Sequence, residues 1–264
     1  MPDIFLHIPK TGGMSAQTAL KWVYGPGSVH HLPDMGDKLN HWKATEAPKR
    51  VQMQDLVTGH ARYGLHRHLV GKCRYFTILR HPIERVVSHY FYNRARNPNS
   101  LLASLPLQEF LQSDHPITDS NRQVQFLSAM DPETDSEAAL ATAKNRLQNE
   151  FAAFGLTERF DESLLLFRRR LGWSRMPFYV YRKVNTDRPS TDELSQKTIE
   201  AVRTHNELDL ALYRFAQERF ETLWETISKE VDEELHRFRR WNKVVKVIAP
   251  PFLWLYRNGR KLLN

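Results

Sequence analysis

FLHIPKTGGMSAQTAL, residues 5–20, runs from a short apolar stretch through Pro9, Lys10, Thr11, Gly12 and Gly13 into a pattern that reads as a helix. A loop that leaves a parallel strand and opens a helix presents unpaired backbone N–H groups and the positive end of the helix dipole, which together favour an anion. Gly12 and Gly13 let the backbone come close to a ligand, Lys10 adds a mobile charge, and Thr11 and Ser15 add hydroxyl donors. The order differs from the nucleoside triphosphatase loop G-x-x-x-x-G-K-[ST], because here the lysine precedes the glycines. Taken alone, the loop is also compatible with a plain glycine turn and a solvated lysine.

Working outward, short apolar runs alternate with helical patterns. DIFLHI (3–8), QDLVTG (54–59), CRYFTIL (73–79) and FAAFGLT (151–157) read as buried strands bounded by Gly, Pro or His. Helices are expected over MSAQTALKWVY, PIERVVSHYFYNRA and TDSEAALATAKNRLQNE, the last with Thr134 and Glu137 at capping-box spacing. This alternation predicts an α/β fold: a P-loop-like parallel β-sheet with helices on both faces. Residues 97–120, rich in Pro, Asn and Ser, read as a lid or acceptor-side insertion around the short helix LQEFLQS. From Ser190, paired with Glu193 as a second capping box, the chain turns helical. Leu208, Leu212, Phe215, Leu223, Ile227, Val231, Leu235 and Phe238 then form one apolar stripe.

The chain has 264 residues, 41% hydrophobic, enough to bury one large core. Its single cysteine, Cys73, excludes an intrachain disulfide. No basic leader precedes the first strand, and no apolar run reaches the roughly 18 residues of a membrane span, so a soluble, cytoplasmic protein starting at Met1 is expected. A net charge of +8 favours anionic ligands without naming one.

CRYFTILRHPIERVVSHYFY repeats the strand, turn and helix arrangement, with Arg80 at the strand end and Ser88 two turns into the helix. Arg80 has a competing structural partner in Glu84, four residues on. Together with the first loop, Arg80 and Ser88 would place a second anion site on the same carboxyl edge of the sheet. Two separate phosphate sites suit a bisphosphorylated nucleotide better than a triphosphate.

HIPKTGG before a helix, then ILRHPIERVVSHYFY, NRQVQFLS and FGLTERFDESLLLF, in that order over roughly residues 3–220, resemble the carbohydrate sulfotransferases of the heparan sulfate 2-O and related type. The resemblance implies a sulfuryl donor, 3′-phosphoadenosine 5′-phosphosulfate (PAPS). It implies that Lys10, Thr11, Gly12, Gly13, Met14 and Ser15 hold the 5′-phosphosulfate and that Arg80 and Ser88 hold the 3′-phosphate. YRKVNTDRP (181–189) is similar to the family's later cofactor loop, so Arg182 and Lys183 are expected over the nucleotide. Residues 1–240 would form one sulfotransferase domain, followed by a basic, aromatic tail at 241–264.

VTGHARYG resembles the family's element carrying a catalytic histidine, which makes His60 the expected general base. The family often has another histidine two residues earlier, where this chain has Thr58. Lys10 would neutralise charge on the departing 5′-phosphate, and no metal is required. Asn121, Arg122 and Gln123 are weaker candidates for the acceptor site. The acceptor itself would be a carbohydrate, with anionic and lipid-linked glycans among the options and nucleic acid excluded.

His60, His66, His68 and Cys73 supply zinc-ligand types, but their spacing matches no compact zinc pattern. In the tail, Pro250 and Pro251 are expected to break any helix, and the aromatic and basic residues suit either peripheral membrane contact or packing on the domain. Two other functions compete: a nucleotide phosphotransferase using the same loop, and a non-catalytic anion- or membrane-binding module. The lysine-first order and the Arg80 and Ser88 pair oppose the former, and His60 opposes the latter.

Overall fold

In the computed structural model of the protein, residues 1–25, 27–33, 37–100, 104–112, 120–180 and 190–262 are described, without the side chains of 48, 112 and 246–262. Five strands form one parallel sheet: β1 (Asp3–Leu6), β2 (Val29–His31), β3 (Leu56–Gly59), β4 (Arg74–Leu79) and β5 (Phe151–Leu156), in the order β2-β3-β1-β4-β5. Parallel neighbours need long crossovers, and the helices that supply them cover both faces. The α/β expectation is therefore borne out. Short, polar β2 was not foreseen; an edge strand reading Val-His-His carries no run of apolar residues to mark it.

Alternation along β1 divides the core. Ile4 and Leu6 point to one face, packed with Val124, Phe126 and Leu127 of α6 (Arg122–Ser128) and with Ala139, Ala143 and Leu147 of α7 (Ser136–Asn149). Phe5 points to the other, with Ala16, Ala19 and Leu20 of α1 (Gly13–Tyr24) and Leu164 and Leu165 of α8 (Phe160–Leu171). A third cluster joins Ile83, Val87 and Tyr90 of α4 (Pro82–Arg96) to Phe110 and Leu111 of α5 (Leu107–Gln112) and Val202 of α9 (Gln196–Thr204). Within the 97–120 excursion, α5 is thus part of a packed core; residues 101–103 and 113–119 lie outside the described structure.

The final helix, α10 (Glu207–Leu262), carries the expected stripe: Leu212 packs in the first cluster, Leu235 and Phe238 in the second. It continues through Pro250 and Pro251, contrary to expectation; the missing proline N–H groups leave the carbonyls of Lys246 and Val247 without their helical donors. Both capping boxes also need correction. Asp135, not Thr134, caps α7 by accepting from the Ala138 N–H at 3.0 Å, and Ser195, not Ser190, caps α9 by accepting from the Thr198 N–H at 3.1 Å. Among the described residues, no helix is long and apolar enough to cross a membrane.

Candidate active site

The site grows from strand register. Leu6 of β1 pairs with Gly59 of β3, so the next residues, His7 and His60, emerge side by side at the carboxyl edge, with ring centroids 4.4 Å apart. His60 Nδ1 lies 2.8 Å from the His7 carbonyl oxygen. A carbonyl only accepts, so Nδ1 carries the proton and the basic lone pair of the neutral ring is on Nε2. His7 itself is buried and stacked on Phe5. Burial, followed by the charges of His60, Lys10 and His31, pushes its pKa down to about 3, so it is neutral at physiological pH.

His7 explains Gly13. A Cβ on that glycine would fall inside the imidazole, so α1 can begin beneath His7 only with a residue that has no side chain. Gly12 is left-handed at φ 81°, and the helix start has no side-chain cap and no acidic residue in its first turn. Of its leading amides, those of Ser15 and Ala16 donate to the Gly12 carbonyl at 3.1 and 3.0 Å, which leaves those of Gly13 and Met14 at the positive end of the helix to favour an anion. Lys10 also adopts φ 70°, a strained conformation for a residue with a Cβ. The Thr11 hydroxyl is buried and donates to the Ile8 carbonyl at 2.9 Å, which leaves its contribution to a ligand to the backbone.

The two anion-site candidates meet. Arg80 donates to the Lys10 carbonyl at 3.1 Å and to Glu84 at 3.0 Å. Lys10 Nζ sits over the Tyr92 ring, 3.9 Å from its centroid. Glu84, Ser88 and Tyr92 are spaced four apart on α4, so Ser88 lies on the face between the partners of Arg80 and Lys10. The strand end is held firmly: Gln123 accepts from the Arg80 N–H and donates to its carbonyl, both at 2.9 Å, while Glu158 accepts from the His81 N–H at 2.8 Å.

Of the three acceptor candidates, Arg122 lines a cleft. Its volume is about 300 Å³, and its walls include His7, Gln17, His31, Thr58, His60 and Arg122. Gln123 is fully buried in its bonds to Arg80, and Asn121 accepts from the N–H groups of Leu208 and Asp209 at 3.1 Å, capping α10. Thr58, where the family often has histidine, is 1% exposed, and its hydroxyl has no hydrogen-bond partner among the described residues. Arg182 and Lys183 lie outside the described residues. No group of three or more potential metal ligands occurs among those described; His66, for instance, lies 3.1 Å from the Tyr75 hydroxyl.

The parallel sheet thus brings two elements suited to anions and a pair of histidines to its carboxyl edge, where ligands of open α/β folds bind. The galactose-3-O-sulfotransferase family model matches residues 38–249, and the chain belongs to that family of carbohydrate sulfotransferases. It is 27% identical over 245 residues to galactose-3-O-sulfotransferase 2 of Homo sapiens, covering 84% of this chain and 61% of that protein. It is 27% identical to heparan-sulfate 6-O-sulfotransferase 2 of Gallus gallus, covering 63% and 49%, and 28% identical to heparan-sulfate 6-O-sulfotransferase 1 of Cricetulus griseus, covering 57% and 45%. The chain thus spans between about half and three fifths of the length of these relatives. The family resemblance is borne out at the level of carbohydrate sulfotransferases, with 3-O and 6-O enzymes rather than a 2-O type among these relatives.

Proposed function

We propose that the chain transfers a sulfuryl group from PAPS to a hydroxyl of a carbohydrate, with His60 as general base and Lys10 stabilising the leaving phosphate. The observation that carries this reading is the His60 Nδ1 contact with the His7 carbonyl, which aligns a basic Nε2 in a cleft beside an uncapped helix N-terminus.

The residues fit such a donor. The first-turn amides of α1, with Lys10 and Ser15, suit the 5′-phosphosulfate, while Arg80 and Ser88 suit the 3′-phosphate. Arg182 and Lys183 keep the assignment that the family resemblance gives them. Bound there, the donor supplies an activated sulfuryl group. The acceptor oxygen forms its bond to sulfur as the bond from sulfur to the phosphate oxygen breaks. His60 Nε2 takes the acceptor proton, and Lys10 leaves the Tyr92 face to meet the charge on the phosphate. Arg122 lines the same cleft and offers polar contacts to the sugar. His7, kept neutral by burial, orients His60 without competing for the proton.

Calorimetric titration tests the reading. 3′-Phosphoadenosine 5′-phosphate should bind without magnesium, and ATP, which lacks a 3′-phosphate, should bind far more weakly. Equal affinities would overturn the donor assignment.

A further inference from the structure

The cleft that contains His60 does not end at its own walls. His31 and Pro33 line it, and they also line a second cleft of about 740 Å³ whose walls include Asp37, Lys38, His41, Trp42, Glu46 and Arg50. We propose that this second cleft is an extension of the acceptor site, taking the further sugar residues of an uncharged oligosaccharide whose reacting sugar lies at His60. The proposal rests on the sulfotransferase reading given above and adds a binding site to it.

Three observations carry it. First, His31 and Pro33 line both clefts, so the two adjoin. The first cleft, at about 300 Å³, is at the small end of ligand pockets, which run from about 300 to 1,000 Å³, whereas the second is more than twice as large.

Second, the chemistry suits sugar hydroxyls rather than anions. Exposed Asp37, Lys38 and His41 supply short-range donors and acceptors, and the edge of Trp42, otherwise buried in the first core cluster, lies behind them. The permanent charges balance, with Lys38 and Arg50 against Asp37 and Glu46, and Arg50 is already paired to Glu46 at 3.1 Å. His30 is likewise tied to Asp55 at 2.7 Å. A site for a polyanion needs a surplus of positive charge, and the chain's net +8 is not concentrated here.

Third, Trp42–Glu46 is a π-helix. Such turns are rare and occur frequently at functional sites. Both of its end residues, Trp42 and Glu46, line the second cleft.

The test is calorimetry on the full chain with uncharged linear oligosaccharides of two and four sugars ending in galactose, the sugar for which the matched family is named, and with a four-sugar chain bearing carboxylates. The uncharged tetrasaccharide should bind about tenfold more tightly than the disaccharide, the size expected of one or two added hydrogen bonds. Lys38 and His41 are exposed, so Lys38→Ala with His41→Ala should leave the fold and disaccharide affinity intact while returning the tetrasaccharide to the disaccharide value. Equal affinity for both lengths, an unchanged double variant, tighter binding of the carboxylated chain, or no binding at all would each overturn the proposal. Failure of the sulfotransferase reading would look different: length-dependent binding with no sulfated product when PAPS is added.

Discussion

A Cβ on Gly13 would stand 1.5 Å from Nε2 of His7. The glycine at the start of α1 is therefore required by a neighbouring imidazole as well as by any ligand. The first prediction follows directly. Gly13→Ala should destabilise the protein by about 1–3 kcal/mol, the usual cost of forcing volume into a packed site. Adding His7→Ala removes the obstacle, so the double variant should be more stable than the sum of the two changes implies. Denaturant titration of the four proteins in the cycle measures this, and additivity would show that the two residues do not compete for space.

His7 also predicts a pH dependence. Its folded pKa of about 3 lies below the ordinary 6.5, so the unfolded chain takes up a proton that the folded chain refuses. The stabilisation is complete above about pH 6.5 and is lost progressively as pH falls through 3. His31, His66, His68 and His81 are lowered too and act in the same direction. Unfolding free energy should therefore fall between pH 7 and pH 4, and His7→Gln should make that fall shallower. An identical slope in the variant would mean that His7 is protonated in the folded protein.

Arg80 is shared between Glu84 and the Lys10 carbonyl, so it is already oriented before any phosphate arrives. Arg80→Ala should weaken binding of 3′-phosphoadenosine 5′-phosphate by about 1.5–3 kcal/mol, the range for hydrogen bonds to a charged group. It should change ATP binding little. A loss of affinity that is equal for both nucleotides would move the 3′-phosphate elsewhere.

Lys10 and His60 should separate binding from rate. His60→Ala should lower turnover roughly 100-fold with nucleotide affinity preserved. Lys10→Ala should slow turnover even at saturating donor, because the charge it meets grows only as the bond breaks. Steady-state kinetics alongside calorimetry decides both. If Lys10→Ala altered donor affinity alone, the residue would be a binding group and nothing more.

The general plan was legible because each of its elements is signalled locally. Strands alternate with helices, the lysine and glycine loop stands at a strand end, and the family's blocks follow in order. The partnership of His7 with His60 was not legible, although both residues were in view, because it depends on the pairing of Leu6 with Gly59 across 53 residues of sequence. Asn121 and Gln123 looked like acceptor contacts because they are polar and adjoin Arg122. Yet one caps a distant helix and the other binds a backbone, uses that arise only from tertiary packing. The caps failed for a simpler reason: Thr134 and Asp135 are neighbouring residues of good capping type, and only the actual helix start chooses between them.

Gln123 grips both backbone groups of Arg80 while Arg122, next along the same helix, lines the cleft beside His60. The proposed donor side and the proposed acceptor side are thus bolted to adjacent rungs of one ladder. Tilting α6 would carry both together, so the distance between them is kept as by a fixed gauge. A reaction that passes a group between two bound molecules depends on that distance more than on the tightness of either grip.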